Sequence, residues 1–384
     1  MKSLDSLRIG VLGAGIGGLA VAGALRRFGA EPVVFEQARA FARIGAGIQQ
    51  SPNALKVHRG LGLEDRLRQT SFRPATSLNR DAVTGAITND HPLGAAIEQR
   101  YGAPYLTLHR GDLHAALASL LPAETIRFGR KLSGIREHGG GVDLAFEDGS
   151  ESQVDLLIAS DGVHSIARDY VVGPTQARFT GRLAYRTTFP ASRLKVDIGP
   201  SRTKWWGGDR HIVIYYVTAA RDEVYFVTSQ PEQADWITKE SWSTKGELSE
   251  LQAAFADFHP EVRGVLASAP EVYKWGIFER DPLPTWSRGG VVLLGDACHP
   301  MTPYMASGAS MALEDAVVLA RVLAQGAGDL SDSLKLYEAV RKPRTSQVQA
   351  GSSANTWMRD ATDPDWLFGY DAWTAPLEAG SGAA

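Results

Sequence analysis

The stretch Arg8–Glu36, RIGVLGAGIGGLAVAGALRRFGAEPVVFE, predicts the first folding unit of this chain of 384 residues. It reads as a short strand, a glycine-rich turn, an apolar helix and a second short strand that ends at Glu36. The turn carries the pattern G-x-G-x-x-G at Gly13, Gly15 and Gly18. In a βαβ unit these glycines permit a tight turn, the approach of a pyrophosphate and close packing of helix on strand. Glu36 follows Gly18 by 18 residues, where a carboxylate can bind ribose hydroxyls, so the stretch predicts a dinucleotide-binding domain.

Two later stretches repeat the order of apolar strand, sharp turn and helix. Val154–Ala159 leads to the turn Asp161-Gly162, and Val292–Leu294 leads to Gly295-Asp296 and a proline-containing loop. After that loop, a mostly apolar and therefore buried helix is predicted over Ser310–Leu323. Helix N-termini present free N–H groups and the positive end of the helix dipole, which suits an anionic cofactor.

Composition limits the possible partners. The chain is 44% hydrophobic and 22% charged with a net charge of −3, and without basic runs we expect no nucleic-acid or membrane partner. Cys298 is the only cysteine, which excludes a disulfide within the chain and favours a reducing, cytoplasmic setting. The histidines lack metal-binding spacing, so no metal site is expected. Ile9–Leu25 is apolar, but it is short and interrupted by glycines, so we expect neither a membrane span nor a targeting signal there.

Over residues 183–272 the sequence pattern changes to short β-type runs, and no helical period appears before about residues 245–258. We predict a second, antiparallel sheet domain inserted into the first. We expect Tyr273–Ile277 and Gly290–Leu294 to return to the cofactor domain. The predicted strands of the inserted domain are Tyr185–Phe189, Thr203–Trp206, His211–Val217 and Glu223–Ser229, and the last two form a hairpin.

Three motifs in this order carry a family resemblance: G-x-G-x-x-G at Gly13–Gly18, DGVHSIAR at Asp161–Arg168 and LLGDACHPMTP at Leu293–Pro303. With them the chain, from about residue 7 to residue 350, resembles the class A, single-component FAD-dependent aromatic hydroxylases. The resemblance implies an α/β fold like that of para-hydroxybenzoate hydroxylase. A Rossmann-like FAD-binding domain would carry an inserted antiparallel β-sheet substrate domain and a C-terminal helix.

The predicted domain boundaries follow from the resemblance and the strand pattern. The FAD-binding domain would comprise residues 1–75, 101–180 and 273–352, the last part including a long helix from about Ser331 to Ser352. The substrate domain would comprise residues 76–100 and 181–272. Residues 353–384 would form a C-terminal segment and a tail, and we expect residues 379–384 to be disordered.

The resemblance also implies where the cofactors bind. FAD would be bound along the glycine-rich turns, and NADH or NADPH would bind only transiently, since the chain has one dinucleotide fingerprint and the family needs no second one. The implied residues are Gly13, Gly15 and Gly18 at the dinucleotide fingerprint, Glu36 at the adenosine ribose, Arg43 and Arg110 along the flavin nucleotide, Asp161 and Gly162 at FAD and the nicotinamide cofactor, Gly295 and Asp296 at the ribityl chain, and Pro303 and Gly308 near the isoalloxazine.

The reaction of the family sets the chemistry to expect. Reduced flavin and O2 form a C4a-hydroperoxide, which delivers an electrophilic oxygen to an electron-rich aromatic carbon. The expected substrate is a small hydroxylated pyridine or benzene carboxylate of the 6-hydroxynicotinate type, with CO2 lost when oxygen adds at the carbon that bears the carboxylate. Open alternatives are a salicylate-type or ordinary ortho-hydroxylase of a phenolic acid, a flavin oxidase or dehydrogenase, and a non-catalytic FAD-fold protein. We expect a monomer or homodimer.

The substrate hydroxyl needs a base, and His211 is the candidate. Alternation along a strand puts His211 and Tyr215 on one face, and histidine titrates near neutral pH. From the residues alone, the simpler interpretation is that His211 caps a strand end and that Tyr215 belongs to the core. The residues DRH at positions 209–211 and the following tyrosine resemble the substrate site of 6-hydroxynicotinate hydroxylases, which favours catalytic roles. Cys298-His299 looks like a nucleophile pair, but adjacent side chains on a turn usually point apart.

Four substrate-binding residues are implied as well: Gln49, Arg202, Trp206 and Tyr304. In the 6-hydroxynicotinate hydroxylases a histidine, a cysteine and a histidine stand where this chain has Gln49, Arg202 and Tyr304. Arg202 can pair with a substrate carboxylate or be an ordinary surface arginine. Trp206 can line the pocket or belong to the core. These departures predict a changed ring or substituent pattern and leave the reaction class as it is.

Overall fold

The computed structural model describes residues 4–43, 46–233, 244–326, 328–357, 359 and 363–378. The helices are α1 Ile16–Arg27, α2 Pro52–Leu61, α3 Glu64–Thr70, α4 Gly94–Tyr101, α5 Arg110–Ala118, α6 Ile166–Val172, α7 Leu248–Ala254, α8 Pro260–Ser268, α9 Gly308–Gln325, α10 Leu330–Ala354 and α11 Asp365–Phe368. The strands are β1 Ile9–Leu12, β2 Val33–Phe35, β3 Gly47–Gln50, β4 Thr76–Asp81, β5 Ile87–Pro92, β6 Leu106–His109, β7 Ile126–Arg127, β8 Leu132–His138, β9 Gly141–Phe146, β10 Glu151–Val154, β11 Leu156–Ala159, β12 Arg178–Pro190, β13 Arg202–Trp206, β14 His211–Tyr216, β15 Glu223–Pro231, β16 Thr244–Gly246, β17 Val272–Glu279, β18 Ser287–Arg288 and β19 Val291–Leu293.

A six-stranded sheet in the order β18-β19-β11-β1-β2-β7 contains the glycine-rich first unit. β1 pairs in parallel with β2 and β11, and β11 pairs in parallel with β19. β1, β11 and β19 are buried along their whole length, as expected for apolar strands covered on both faces. α1 packs against α5 and α9. The predicted βαβ unit and the two later strands that precede the turns are therefore confirmed.

A second sheet of eight strands has the order β16-β17-β12-β15-β14-β13-β4-β5. Its pairings are antiparallel except for β13 and β4, which are parallel. On one face, Trp205 and Phe226 pack in a single apolar cluster with Phe255 and Val265 of the α7–α8 region. On the other face, Val213, Tyr215 and Tyr225 cluster with Ala46, which precedes β3. The second face therefore looks toward the cofactor-binding part of the chain.

The predicted return of Tyr273–Ile277 to the cofactor domain is wrong. This segment lies in β17, which pairs with β12 and β16 in the eight-stranded sheet. Its residues are only partly buried, since Tyr273 and Lys274 are half-exposed whereas Trp275 and Ile277 are buried, as suits an antiparallel strand with one solvated face. A short apolar run does not specify its partner strand, since pairing depends on residues far away in the sequence. The other predicted strand, Gly290–Leu294, is confirmed as β19 of the six-stranded sheet.

One helix of the substrate-sheet region was not predicted. The helical period expected over residues 245–258 corresponds to α7 only, and α8 follows it at Pro260–Ser268. The signals for α8 are present in the sequence: Pro260 stands in the first turn, and the His259 side chain accepts a hydrogen bond from the N–H of Glu261. Val262, Val265 and Leu266 then line its buried side at helical spacing.

The two long C-terminal helices are confirmed. α9 is buried over most of its length, and α10 runs beyond the predicted ends at Ser331 and Ser352. The tail at residues 379–384 lies outside the described residues. In the ranges that the structure describes, none of the helices combines the length and apolar character needed to cross a membrane.

A buried ionic network connects α9 and α10 to the turn that follows β19. Asp315 accepts hydrogen bonds from His299 Nε2 at 2.5 Å, from Arg341 Nε at 2.7 Å and from the N–H of Gly295 at 3.3 Å. Glu314 forms ion pairs of 2.8 Å with Arg341 and with Arg344. Burial alone would raise the pKa of Asp315, but His299 and Arg341 outweigh it and lower the pKa. Each carboxylate of this network is paired, as buried charges require.

Replacement of the central cation tests this network. Arg341→Met leaves Asp315 and Glu314 with fewer cations in a buried site, so the free energy of unfolding should fall by about 3–5 kcal/mol. The measurement is urea denaturation followed by circular dichroism.

The matched control is Arg178→Met. Arg178 pairs with Glu279 at 2.7 Å, but its side chain is 70% exposed, and loss of such a pair should cost less than about 1 kcal/mol. Equal losses in the two variants would show that the network contributes no more than a surface ion pair.

Candidate active site

The carboxyl ends of β1, β11 and β19 bring three turns to one edge of the six-stranded sheet. Gly13 follows β1 with φ of +91°, and a Cβ atom there would lie 2.6 Å from the carbonyl oxygen of Ser160, which follows β11. A Cβ atom on Gly18 would lie 1.9 Å from the carbonyl oxygen of Gly13. Only glycine fits at these two positions, since one has a left-handed backbone and both are in close contact with neighbouring backbone.

Gly15 differs from these two glycines. Its backbone is extended, with φ of −75° and ψ of −172°, and it caps the N-terminus of α1. A Cβ atom on Gly15 would meet no atom of the described residues within 4 Å. The turn is therefore open at the N-terminus of a helix, where a pyrophosphate needs close access to backbone N–H groups. This geometry fits the FAD-binding role that the resemblance implies for Gly15.

Glu36 stands at the end of β2, beside the same turn. Its carboxylate accepts hydrogen bonds from the N–H of Ala14 at 2.8 Å and from the N–H of Ala38 at 2.7 Å. These bonds fix the carboxylate next to the glycine-rich turn and leave further lone pairs for a hydroxyl donor. The position fits the predicted contact with a ribose.

Asp296 and Arg110 lie in a cleft at this edge. Both side chains are exposed to solvent, yet desolvation raises the pKa of Asp296 and lowers the pKa of Arg110, and each acts electrostatically on the other. Side chains that are accessible and closely surrounded by protein are those that line a concave site. Asp296 Oδ1 also lies 3.9 Å from the Cβ position of Gly308, at the first residue of α9. Asp296, predicted to contact the ribityl chain, and Gly308, predicted to lie near the isoalloxazine, are therefore neighbours.

Asp161 has one satisfied and one free carboxylate oxygen. Oδ2 accepts a hydrogen bond from the N–H of Ile166 at 3.0 Å, at the start of α6, whereas Oδ1 is buried without a hydrogen-bond partner among the described residues. Burial raises the pKa of Asp161. A buried acceptor without a partner points to a missing donor, which fits the cofactor contact predicted for Asp161-Gly162.

Arg43 is engaged elsewhere. Its guanidinium pairs with Asp112 at 2.9 Å and with Glu223, at the start of β15, at 2.7 Å. Hydrogen bonds to Asp112 and then to Glu223 raise the pKa of Arg43. Arg43 lies against Gly111, the residue after Arg110, but its guanidinium is occupied by these two carboxylates, and its contact with the flavin nucleotide stays a prediction.

His211 lies where the two sheets meet. It begins β14, is 5% exposed, and its ring lies 5.1 Å from the Trp206 ring and 5.6 Å from the Tyr304 ring. Tyr304 belongs to the loop between Asp296 and α9, so the predicted base contacts the flavin-side loop. The Tyr304 hydroxyl lies 3.0 Å from Ser229 Oγ, which accepts a hydrogen bond from Arg182 Nε at 2.7 Å.

Tyr215 lies on the same face, further along β14. Its hydroxyl hydrogen-bonds with Gln49, whose Oε1 also accepts a hydrogen bond from the Tyr105 hydroxyl at 2.5 Å. Burial, and next the neighbouring Tyr225, raise the pKa of Tyr215 well above its ordinary value. Tyr215 is therefore a neutral phenol, suited to donate a hydrogen bond rather than to carry charge.

Two buried cations face the same region. Arg202 is 8% exposed and Lys204 is 3% exposed, so Arg202 is not a surface arginine. Arg202 Nη1 donates to Ser77 Oγ at 2.8 Å, and Arg202 Nε is buried without a hydrogen-bond partner in the part of the chain that the structure describes. Lys204 Nζ lies 3.7 Å from the centre of the Trp206 ring. Within the described ranges, neither side chain forms an ion pair with a carboxylate.

Lys204 was missed as a site residue, although its position in KWW is visible in the sequence. Arg202, Lys204 and Trp206 occupy every second position of β13, so the three side chains share one face. A cation–π contact such as that with Trp206 contributes roughly 0.5–2 kcal/mol, which is less than the several kcal/mol that burying an ion costs. The ring contact therefore does not explain why a lysine is buried here.

The cations act on His211. Burial is the largest cause that lowers the pKa of His211 well below its ordinary value, and the positive charges of Lys204, Arg182 and Arg202 lower it further. The imidazole is therefore neutral at neutral pH, the form that accepts a proton.

Cys298 and His299 are used structurally. The Cys298 thiol lies in the large apolar core, and burial raises its pKa well above the ordinary value. His299 binds Asp315 in the ionic network. Nucleophilic chemistry requires a thiolate, so this pair does not supply it.

The profile of the FAD binding domain family matches residues 6–352, and the chain belongs to this family. The 6-hydroxynicotinate 3-monooxygenase of Bordetella bronchiseptica is 45% identical over 382 residues, which cover 98% of this chain and 98% of the relative. The enzyme of the same name from Pseudomonas fluorescens is 43% identical over 376 residues, which cover 97% of each chain. A crystal structure of Klebsiella pneumoniae HpxO complexed with FAD and uric acid superposes with a TM-score of 0.81 at 28% identity, covering 91% of this chain and 88% of that chain.

These similarities confirm the resemblance and the fold class inferred from the motifs. The chain is an FAD-dependent aromatic monooxygenase, an enzyme of the class that uses NAD(P)H and O2. This class replaces the oxidase and non-catalytic alternatives. The roles of single residues remain predictions.

The open position at Gly15 provides a test of FAD binding. Gly15→Val should fold, because its backbone is extended and nothing lies within 4 Å of the new Cβ atom. The side chain would occupy the space through which a pyrophosphate reaches the N-terminus of α1, so FAD affinity should fall at least ~10-fold. The measurements are the flavin content of the purified protein and FAD titration of the apoprotein.

The matched control is Gly139→Val, since Gly139 is also free of neighbours within 4 Å and lies in the β8–β9 turn. Its flavin content should equal that of the wild type. Normal flavin content in Gly15→Val would contradict the predicted pyrophosphate position.

Proposed function

We propose that the chain hydroxylates a small aromatic carboxylate that carries a ring hydroxyl, of the 6-hydroxynicotinate type, with loss of CO2. The observation that carries the proposal is His211, held between Trp206 and Tyr304 beside two buried cations without carboxylate partners. A cation-rich, buried site next to an aromatic wall favours an aromatic anion. The two relatives named for 6-hydroxynicotinate support the choice of ring.

FAD, when bound and reduced by NAD(P)H, supplies one activated oxygen atom from O2; the second leaves as water. His211 would accept the proton of the ring hydroxyl, which makes the ring electron-rich at the carbon to be attacked. Its lowered pKa keeps it neutral and ready for this step. Burial of Tyr215, Tyr304 and Arg202 would exclude water from the reacting atoms.

Arg202 is the residue we propose for the substrate carboxylate. A guanidinium binds a carboxylate through two parallel hydrogen bonds, and Arg202 Nε is buried without a partner while Nη1 is held by Ser77. Gln49, bridged between Tyr105 and Tyr215, would complete this end of the pocket with neutral hydrogen-bond donors.

A second candidate reaction is hydroxylation with the carboxylate retained. Arg202 favours it, because an ion pair with the guanidinium stabilises the carboxylate and opposes its conversion to neutral CO2. Loss of CO2 instead restores the aromatic ring after oxygen has added at the carbon that bears the carboxylate. Release of labelled CO2 distinguishes the two reactions.

Three finer statements are proposals as well. The domain boundaries given above, with β17 moved to the substrate-binding part because it pairs with β12 and β16, would divide the chain into FAD-binding and substrate-binding parts. A cytoplasmic location is supported by the reduced, buried Cys298 and by the use of NAD(P)H. A monomer or homodimer is the expected assembly.

The substrate is tested with the purified holoenzyme. 6-Hydroxynicotinate should accelerate NADH or NADPH oxidation, release CO2 from the labelled carboxyl group and give a product that carries a new hydroxyl group in place of the carboxylate. Nicotinate and benzoate, which lack the hydroxyl, should not be hydroxylated. If neither 6-hydroxynicotinate nor salicylate accelerates the oxidation of NADH or NADPH, the proposed substrate class is wrong.

His211→Ala tests the base. The rate of hydroxylation should fall about 10²- to 10⁴-fold, with flavin content unchanged. Since burial and the cations Lys204, Arg182 and Arg202 lower the pKa of His211, the acidic fall of kcat/KM in the wild type should lie below pH ~6.5. In the variant that fall should disappear, and the rate should rise with pH as the substrate hydroxyl ionises without help.

His138→Ala is the control, since His138 is 36% exposed in the β8–β9 hairpin. It should retain the wild-type rate and pH profile. Equal loss of flavin and activity in His211→Ala would make His211 a structural residue.

A further inference from the structure

We propose that Lys204 is a second anion-binding residue of the substrate site, which binds the ionised ring oxygen of the substrate while Arg202 binds its carboxylate. This inference rests on the proposed function and specifies the substrate as a dianion when bound. Lys204 is neither the proposed base nor one of the predicted pocket residues.

The order of side chains along β13 gives the first support. Arg202, Lys204 and Trp206 project from the same face, and Trp206 is paired in register with His211. Lys204 therefore lies between Arg202 at one end of the site and His211 at the other. Residues two apart on a strand are separated by about 6.6 Å, a spacing of the same order as that between para substituents on an aromatic ring. A ring with its carboxylate at Arg202 would carry a para oxygen near Lys204 and His211.

Charge gives the second support. Among the described residues, the charged groups that act on Lys204 are Arg202, Arg359 and Arg182, and all three are cations. Lys204 and Arg182 in turn act on His211. One carboxylate from the substrate neutralises only one of these groups. A second negative charge on the ring oxygen balances Lys204 and makes the same ring more reactive toward an electrophilic oxygen.

The contacts of Lys204 give the third support. Its Nζ lies over the ring of Trp206, whose Nε1 donates to Asn79 Oδ1 at 3.0 Å. The aromatic ring thereby holds the ammonium in position, yet a ring face does not replace a counterion in a buried site. Burial, and next Arg202, lower the pKa of Lys204 well below its ordinary value, so an anionic ligand is needed to keep the ammonium charged.

The test separates the ring oxygen from the carboxylate by a pair of ligands. 6-Hydroxynicotinate and nicotinate differ only in the oxygen, so the ratio of their Kd values measures the contribution of that oxygen. Lys204→Met keeps an unbranched apolar side chain of similar length beside Trp206 and removes the charge. It should reduce the ratio at least ~10-fold, as expected for a hydrogen bond to a charged group, and change the Kd of nicotinate less than about two-fold.

Arg202→Met is the matched variant. It should weaken both ligands by the same factor and leave the ratio unchanged, since both carry the carboxylate. Kd values are measured on holoenzyme by the change of the flavin spectrum or by calorimetry.

A ratio unchanged in Lys204→Met overturns the inference. If both ligands weaken equally, Lys204 binds the carboxylate; if neither weakens, Lys204 is structural. The thermal midpoint distinguishes a folding defect: removal of an unpaired buried charge should leave it equal or higher. If it falls, Lys204→Arg serves as the second variant, because restored charge should restore the ratio.

Failure of the inference and failure of the proposed function remain distinct. A wild-type enzyme that hydroxylates 6-hydroxynicotinate while Lys204→Met keeps the wild-type ratio contradicts only the role of Lys204. A wild-type enzyme that neither binds nor oxidises hydroxylated aromatic carboxylates contradicts both.

Discussion

Parallel pairing of β1, β11 and β19 is the constraint on which the rest of the structure depends. Parallel strands end at the same edge of a sheet, so the turns after them meet there even though about 280 residues separate the first turn from the last. Gly13 and Ser160 are in backbone contact across this edge, and Asp296 lies beside the start of α9. Helix N-termini and carboxylates that the chain supplies separately thus line one cleft, where the cofactor contacts are predicted. The inner face of the eight-stranded sheet then brings His211 to Tyr304 beside that cleft.

The molecule contains two buried charge clusters with opposite character. Around Asp315 and Glu314, each carboxylate is paired with a cation or a histidine, and the cluster holds α9, α10 and the turn after β19 together. Around His211, the charged groups that act on the imidazole are all cations. Burying charge without a partner is costly; the first cluster is complete within the protein, and the proposed substrate anion would complete the second. The difference separates a structural network from a binding site.

The success of the sequence-based predictions depended on whether the signal was local. The βαβ unit, the strands before the turns and the long helix α9 were predicted because apolar period, glycine spacing and turn residues lie within a few residues of one another. The partner of Tyr273–Ile277 was predicted wrongly because strand pairing is settled by distant residues. The helix α8 was missed despite its apolar spacing and its capping histidine. Lys204 was missed because a lysine on a strand is ordinarily exposed, and only packing from several elements shows that this one is buried.

The glycine-containing turns after apolar strands predicted a dinucleotide-binding domain from local features alone, and the resemblance carried by the same three motifs implied FAD. The resemblance also identified His211, Tyr215, Gln49, Arg202, Trp206 and Tyr304 as candidates. The burial of Arg202 and Lys204, the pairing of Arg43 with Asp112 and Glu223, and the contact of Tyr304 with His211 became visible in the folded chain. Burial, desolvation and ion pairing depend on which strands and loops pack together, and a single segment of sequence does not specify its neighbours in space.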